Sequence, residues 1–180
     1  MSPGVLQVPV GPQDHVQGSL DAPVTLLEYG DYECPHCGRA HPIVKQLQRR
    51  VGSLMAFAFR NFPLTEIHPH AEQAAEAAEA AGARGRFWPM HDMIFEHQMD
   101  GLELRDLMQY AAAVGLDPNA VGQDVVAHTY LPRIREDFMS GVRSGVNGTP
   151  TFFINGIRFD GDWTDVGAFS DAITDAAVPA

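Results

Sequence analysis

The chain has 180 residues, 45% of them hydrophobic and 19% charged, which is typical of one packed domain and excludes a disordered chain. Twelve basic and 23 acidic residues give a net charge of −11. Phosphate backbones and anionic lipids repel so acidic a protein, so we expect no nucleic-acid partner. Its apolar runs are far shorter than the roughly 20 residues of a spanning helix, so we expect no membrane insertion.

The first 20 residues contain no lysine or arginine and no apolar run of the signal-peptide kind. As it stands, the sequence therefore predicts a cytoplasmic protein. A periplasmic or otherwise extracytoplasmic protein whose leader has been removed is the alternative, and both locations stay open.

The first predicted elements form a strand–helix–strand unit. A Pro- and Gly-rich lead-in precedes it, with a short strand expected at residues 5–10. The apolar run at residues 24–29 predicts a strand buried on both faces. Apolar residues at helical spacing then predict a helix over residues 35–51, and residues 54–60 predict the next strand.

The middle of the chain is predicted to be wholly helical, and its end returns to strands. We expect helices at residues 71–81, 87–96 and 104–114, a helix capped by Asp117, and a last helix with Ile134, Phe138 and Val142 on one face. Residues 151–159 then predict a hairpin, because Asn155-Gly156 suits its tight turn. A terminal helix is expected at residues 164–176, which makes the fold class α/β.

The only two cysteines, Cys34 and Cys37, form a C-x-x-C motif at the start of the predicted helix. Their disulfide would close too short a loop to stabilise the fold, so the pair serves chemistry or metal binding. Amide groups at the helix N-terminus favour a thiolate, which predicts a Cys34 pKa below the ordinary value of about 8.5. Cys34 is therefore the exchanging thiol and Cys37 the resolving thiol. His36 between them favours an oxidant.

A zinc site is the alternative use of the two cysteines, since two cysteines and two histidines are a common structural ligand set. The available histidines are His36, His41, His68 and His70. His36 and His41 lie on one short helix and do not easily complete a tetrahedron, so redox chemistry is preferred and no cofactor is expected. For His68 and His70, packing and capping at a helix start is preferred to a metal pair.

Five segments resemble the DsbA-like thiol–disulfide oxidoreductases, and the likeness is closest to the branch of sodium/proton-antiporter-associated thioredoxin domains. They are YGDYECPHCG (29–38), FRNFPL (59–64), HPHA (68–71), FWPMHD (87–92) and GTPTFFING (148–156). The resemblance covers about residues 14–175. It implies a thioredoxin fold with an inserted α-helical domain, in which residues 1–63 and 146–180 form the thioredoxin-like domain and 64–145 the insertion.

The resemblance also implies a role for individual residues. Cys34 matches the nucleophile and Cys37 the resolving thiol, with His36 in the dipeptide position that makes family members oxidising. Pro150 matches a cis-proline, and Thr149 would offer its backbone to an extended substrate peptide. The low overall frequency of cis X–Pro bonds, about 5–6%, predicts a trans bond instead.

Glu28 is the one charged residue in an apolar strand, six residues before Cys34. Since a buried carboxylate is costly, it requires either a function or partial hydration near the strand end. The resemblance implies the functional role, in which an acidic residue handles the proton of Cys37.

The expected function is exchange of the Cys34–Cys37 disulfide with protein or peptide thiols through a mixed disulfide at Cys34. A redox partner is also required, and the sequence does not identify it. A glutathione-handling relative of the same fold is disfavoured, because those proteins have serine where Cys34 stands.

Overall fold

Five strands form one sheet in the computed structural model, which describes residues 4–179. They are β1 (His15–Gln17), β2 (Val24–Gly30), β3 (Met55–Asn61), β4 (Thr151–Ile154) and β5 (Ile157–Arg158). The order across the sheet is β1-β3-β2-β4-β5. β1 is antiparallel to β3, β4 to β2, and β5 to β4. β2 and β3 are buried almost throughout, which accounts for their nearly continuous apolar sequences.

Seven α-helices complete the described part of the chain. They are α1 (Pro35–Val51), α2 (Ala71–Gly82), α3 (Phe87–Glu96), α4 (Leu104–Ala113), α5 (Pro118–Val126), α6 (Leu131–Arg143) and α7 (Val166–Ala176). α2 packs against α3, α4 and α5, while α7 contacts β2. None of the helices within residues 4–179 combines the length and apolarity needed to cross a membrane. The α/β class and the order of elements from β2 onward are as the sequence predicts.

The chain divides into two compact units. The first contains the described residues of Met1–Gly30, Arg39–Arg60 and Met139–Ala180, and it includes the whole sheet apart from Asn61. The second contains Asp31–Gly38 and Asn61–Phe138. The loop that carries both cysteines therefore groups with the helical residues. The assignment of folding domains to 1–63 with 146–180 and to 64–145 stays a prediction.

The expected strand at residues 5–10 is wrong, because the first strand lies at His15–Gln17 and Val5 makes only an isolated bridge to Ile157. The reason is a buried arginine: Arg60 donates hydrogen bonds to the carbonyl oxygens of Val8 (2.9 Å) and Pro9 (3.1 Å). Those carbonyls satisfy a side chain instead of a neighbouring strand.

The inward face of α6 also differs from the prediction. Val142 is 45% exposed, whereas Asp137 and Ser140 on the same helix are buried. Each buried polar group has a partner within its own unit: the Ser140 and Tyr29 hydroxyls lie 2.7 Å apart, and Asp137 accepts two bonds from Asn61. The spacing of apolar residues alone therefore predicts the wrong buried face of α6, because buried polar residues with hydrogen-bond partners also belong to that face.

The hairpin turn is as the sequence predicts. Asn155 has φ 48° and Gly156 has φ 79°, the pair of positive values that a type I′ turn requires. The side-chain oxygen of Asn155 also accepts the N–H of Thr25 at 2.8 Å, so the turn is tied to the start of β2.

Arg60 forms a buried ion pair with Asp14 inside the first unit. Its Nε and one terminal nitrogen donate to the two carboxylate oxygens at 2.8 and 3.0 Å, and another donates to the Tyr29 hydroxyl at 3.0 Å. Burial lowers the pKa of Arg60, but the bonds with Asp14 and Tyr29 outweigh it and hold the pKa above its ordinary value. The guanidinium therefore stays charged in the core.

We expect Asp14→Asn to lower the free energy of unfolding by on the order of 3 kcal/mol, because it leaves the Arg60 charge buried without its counter-ion. Denaturant titration at neutral pH measures the loss. Asp160→Asn is the control, since Asp160 pairs with Arg158 at 3.0 Å on the surface and should contribute less than about 1 kcal/mol. Equal losses in the two variants would contradict a dominant role for the buried pair.

Asp137 belongs to a second buried polar cluster, within the helical unit. One carboxylate oxygen accepts the backbone N–H and the side-chain amide of Asn61, both at 3.0 Å. The same amide donates to Glu79 at 2.8 Å, and Arg133 lies 3.2 Å from the other Glu79 oxygen. Burial raises the pKa of Asp137 to about 6, and the nearby Glu79 charge acts in the same direction, against the bonds from Asn61.

This raised pKa predicts a pH-dependent stability. The unfolded carboxyl titrates near 3.8, so its protonation stabilises the fold below that pH, and the contribution is lost as pH rises through about 6. Asp137→Asn removes this loss, and its stability relative to the natural chain should improve between pH 4 and 8 by on the order of 3 kcal/mol. Denaturant unfolding across that range measures it. Glu136→Gln, at an exposed position of α6, should show no such trend.

Candidate active site

Cys34 directly precedes α1, and Cys37 lies in its first turn. Cys34 is 3% exposed and Cys37 is fully buried, whereas Pro35 and His36 between them are exposed. Both cysteines are therefore buried, and they differ in that Cys34 precedes α1 beside two exposed residues while Cys37 lies inside the helix. The chemical inequivalence of the two thiols stays a prediction.

The carboxylate of Asp31 organises the loop before the helix, although the sequence prediction gives Asp31 no role of its own. One oxygen accepts the backbone N–H groups of Glu33 (2.8 Å) and Cys34 (3.1 Å). The other accepts the N–H of Leu64 (2.9 Å) and Nδ1 of His68 (2.8 Å). Asp31 is 1% exposed, and these four hydrogen bonds compensate its burial.

The backbone of Asp31 also reaches the inner thiol. Its N–H donates to Sγ of Cys37 at 3.4 Å. Asp31 therefore contacts both cysteines: its carboxylate and its backbone carbonyl accept the Cys34 N–H, and its own N–H donates to the Cys37 sulfur.

Glu33 forms a second carboxylate–histidine pair on the same loop. It accepts the backbone N–H of His70 at 2.6 Å, and Nδ1 of the same ring lies 3.0 Å from its other oxygen. His68 and His70 thus bind the cysteine loop. His70 stands at a helix start as predicted, as the N-cap residue of α2, but the expected side-chain cap is wrong, because its side chain makes no capping bond.

Tyr32 anchors the loop in an aromatic cluster. Its hydroxyl is hydrogen-bonded to Nδ1 of His91 at 2.9 Å, and its ring packs on Phe95 with centroids 4.8 Å apart. His91 also packs edge-on against Trp88 at 5.1 Å and Phe95 at 5.0 Å. Trp88, His91 and Phe95 thus form one aromatic group on α3, and it holds the Tyr32 side chain.

Gln98 completes the attachment of the loop by donating to the carbonyl oxygens of Tyr32 (2.8 Å) and Cys34 (2.9 Å). Gly38 gives Gln98 the space to do so, because a Cβ at position 38 would collide with the Gln98 side chain. No sequence pattern near the cysteines indicates this contact, since Gln98 is 64 residues from Cys34.

Glu28, Thr149 and Pro150 belong to the sheet-containing unit. Glu28 is buried in β2 opposite Phe152 of β4, so the partly hydrated alternative is wrong. The Thr149–Pro150 bond is cis, as the resemblance implies and against the general trans preference, and it directly precedes β4. The roles of these residues stay predictions.

The zinc alternative is not favoured. Among residues 4–179, no cluster of three metal-ligating side chains includes Cys34 or Cys37. His68 and His70, two of its candidate ligands, have Nδ1 occupied by carboxylates of the loop.

Comparison with solved structures supports the fold. BdbD from Bacillus subtilis aligns with a TM-score of 0.85 and 22% identity over 98% of this chain and 97% of its own. A thioredoxin-like oxidoreductase from Silicibacter pomeroyi gives 0.81 and 27% over 94% and 95%. Wolbachia pipientis alpha-DsbA1 gives 0.80 and 22% over 96% and 94%. These matches confirm a DsbA-like thioredoxin fold with a helical insertion.

Curated relatives match over part of their length. A protein named Na(+)/H(+) antiporter NhaA 1 from Salinispora arenicola is 45% identical over 172 residues, which cover 95% of this chain and 26% of the relative. The chain therefore spans about a quarter of the length of these relatives. A family model described as thioredoxin matches residues 11–175, nearly the whole chain. The chain belongs to the thioredoxin family, and its fold is the DsbA-like form.

Proposed function

We propose that the chain is a thiol–disulfide oxidoreductase that passes its Cys34–Cys37 disulfide to protein or peptide thiols. The observation that carries the proposal is the placement of the two cysteines: Cys34 directly precedes α1 beside the exposed Pro35 and His36, and Cys37 is fully buried in the first turn. The thioredoxin family model and the 27% identical oxidoreductase from Silicibacter pomeroyi support the same chemistry.

The reaction follows from this asymmetry. A substrate thiolate attacks Sγ of Cys34, a mixed disulfide forms, and the electron pair of the broken bond passes to Sγ of Cys37. A second substrate thiolate then attacks the substrate sulfur of the mixed disulfide and releases Cys34 as a thiolate. The product is a disulfide in the substrate, and the chain leaves the cycle with both cysteines reduced.

Oxidation is the proposed direction. The positive end of the α1 dipole stabilises the Cys34 thiolate, and so it stabilises the reduced form of the chain. A couple whose reduced form is stabilised has a higher potential and donates its disulfide more readily. The exposed side chain of His36 lies next in sequence to Cys37 and can add a hydrogen-bond donor or a positive charge at this surface.

Three residues of the sheet-containing unit receive roles from the resemblance. Glu28 is assigned to the proton of Cys37, which suits a carboxylate buried in the strand that leads to the motif. Thr149 and Pro150 are assigned to substrate binding, with the Thr149 backbone pairing to an extended peptide. Their position at the start of a buried strand, β4, supports that use.

The proposed setting is extracytoplasmic, because disulfides persist in oxidising compartments and are reduced in the cytosol. A partner must reoxidise the two cysteines after each turnover, and the relatives named as antiporters do not identify it. The word antiporter in their name describes those longer proteins and is not carried over to this chain.

The test is oxidation of a reduced dithiol peptide by the oxidised chain, followed by mass spectrometry. We expect stoichiometric peptide disulfide with the natural sequence and none with Cys34→Ser. Cys37→Ser is given the disulfide form of the peptide instead, and its Cys34 thiolate should attack that bond and form a mixed disulfide that Cys37 can no longer resolve. In the reduced chain, the Cys34 thiolate absorbance should titrate below the ordinary value of about 8.5.

Full peptide oxidation by Cys34→Ser, or an ordinary thiol titration of Cys34, would exclude the proposed mechanism. Elemental analysis of the purified protein serves as a second check. About one bound zinc per chain, lost when the cysteines are alkylated, would favour the metal-binding alternative.

A further inference from the structure

Cys37 is fully buried, yet disulfide exchange requires its sulfur to carry negative charge for a moment. A thiolate held away from water is costly unless hydrogen-bond donors face it. The Asp31 N–H provides such a donor, 3.4 Å from Sγ of Cys37. A better-stabilised thiolate is a better leaving group, so this contact acts on the rate of exchange.

A backbone amide can aim at a sulfur only if its peptide unit is held in place. The Asp31 side chain does this through four accepted hydrogen bonds, two on each oxygen. Two of them come from the cysteine loop itself, and the other two fasten that loop to Leu64 and His68. His68 is the one side chain among these donors and therefore the one that mutation can remove cleanly.

Resting on the proposed function, we propose that His68 and the Asp31 carboxylate are a positioning pair for the resolving thiol. They hold the Asp31 N–H against Sγ of Cys37 while the Cys34–Cys37 bond breaks. In that step the substrate thiolate bonds to Sγ of Cys34, and both electrons of the old S–S bond go to Sγ of Cys37. No further reactant is needed, and the reverse step uses the same contact when Cys37 attacks the mixed disulfide.

The neighbouring pair, Glu33 and His70, supplies a matched comparison. It has the same chemistry, with Nδ1 and a carboxylate oxygen 3.0 Å apart, and it fastens the same loop. The Glu33 carboxylate binds this segment through His70, and the Glu33 backbone N–H is held by Asp31 rather than directed at a sulfur. Loss of His70 therefore removes an equivalent attachment of the loop and leaves the donor to Cys37 in place.

The experiment measures how fast excess reduced glutathione opens the disulfide of the oxidised full chain, by acid quenching, alkylation and mass spectrometry. We expect His68→Ala to slow opening about tenfold, the effect of one well-placed hydrogen bond to a charged group. His70→Ala should stay within about twofold of the natural chain. His68→Asn should restore most of the rate, because its amide nitrogen can take the place of Nδ1.

The equilibrium constant for disulfide exchange with glutathione distinguishes a positioning role of His68 from a general loosening of the cysteine loop. Cys37 is uncharged in the disulfide and in the protonated thiol and carries charge only while the bond opens or closes. Loss of the contact should therefore slow both steps, and the equilibrium should move less than about threefold. If His68→Ala does not fold, Asp31→Asn provides the same test, since its amide nitrogen meets an N–H donor in place of either carboxylate oxygen and weakens that attachment.

Three outcomes would each overturn the inference. The variants at positions 68 and 31 could open at the natural rate, His70→Ala could slow opening equally, or the equilibrium constant could shift as much as the rate. Failure of the proposed function looks different. In that case the natural chain itself does not oxidise the dithiol peptide, whatever residue stands at position 68.

Discussion

The cysteine loop depends on the hydrogen bonds that the buried carboxylate of Asp31 accepts. One oxygen orders the turn that leads into α1 and the other fastens that turn to Leu64 and His68. A charge so fully removed from water is tolerated only because every strong acceptor direction is used. These four hydrogen bonds therefore fix the geometry of the loop, and the loop determines the positions of both cysteines.

The two cysteines have different surroundings, although they are only three residues apart. The Cys34 amide is bound to Asp31, at the edge where Pro35 and His36 are exposed. Cys37 is enclosed and receives an amide donor from the same aspartate. The first is 3% exposed beside two exposed residues, and the second is fully buried. The proposed exchange chemistry uses an outer and an inner cysteine, and this arrangement supports it.

Local patterns predicted the elements but not the contacts that hold the site. The α1 bounds, the Asn155-Gly156 turn and the C-x-x-C position depend on neighbouring residues and could be derived from the sequence. Asp31 carries only the general preference of aspartate for turns, in which its carboxylate accepts nearby backbone N–H groups. Gln98 has no such signal, because its partners lie 64 and 66 residues away. The prediction of the inward face of α6 was wrong for the same reason, since the partner of Asp137 is 76 residues away.

The exposed Pro35 and His36 stand between residues that are all fixed by other parts of the helical unit. Their side chains face solvent, while Tyr32 and Gln98 secure the backbone that precedes them. Under the proposed function, replacement of these two side chains should therefore change the redox potential, while the hydrogen bonds of Tyr32 and Gln98 keep the geometry of the preceding loop.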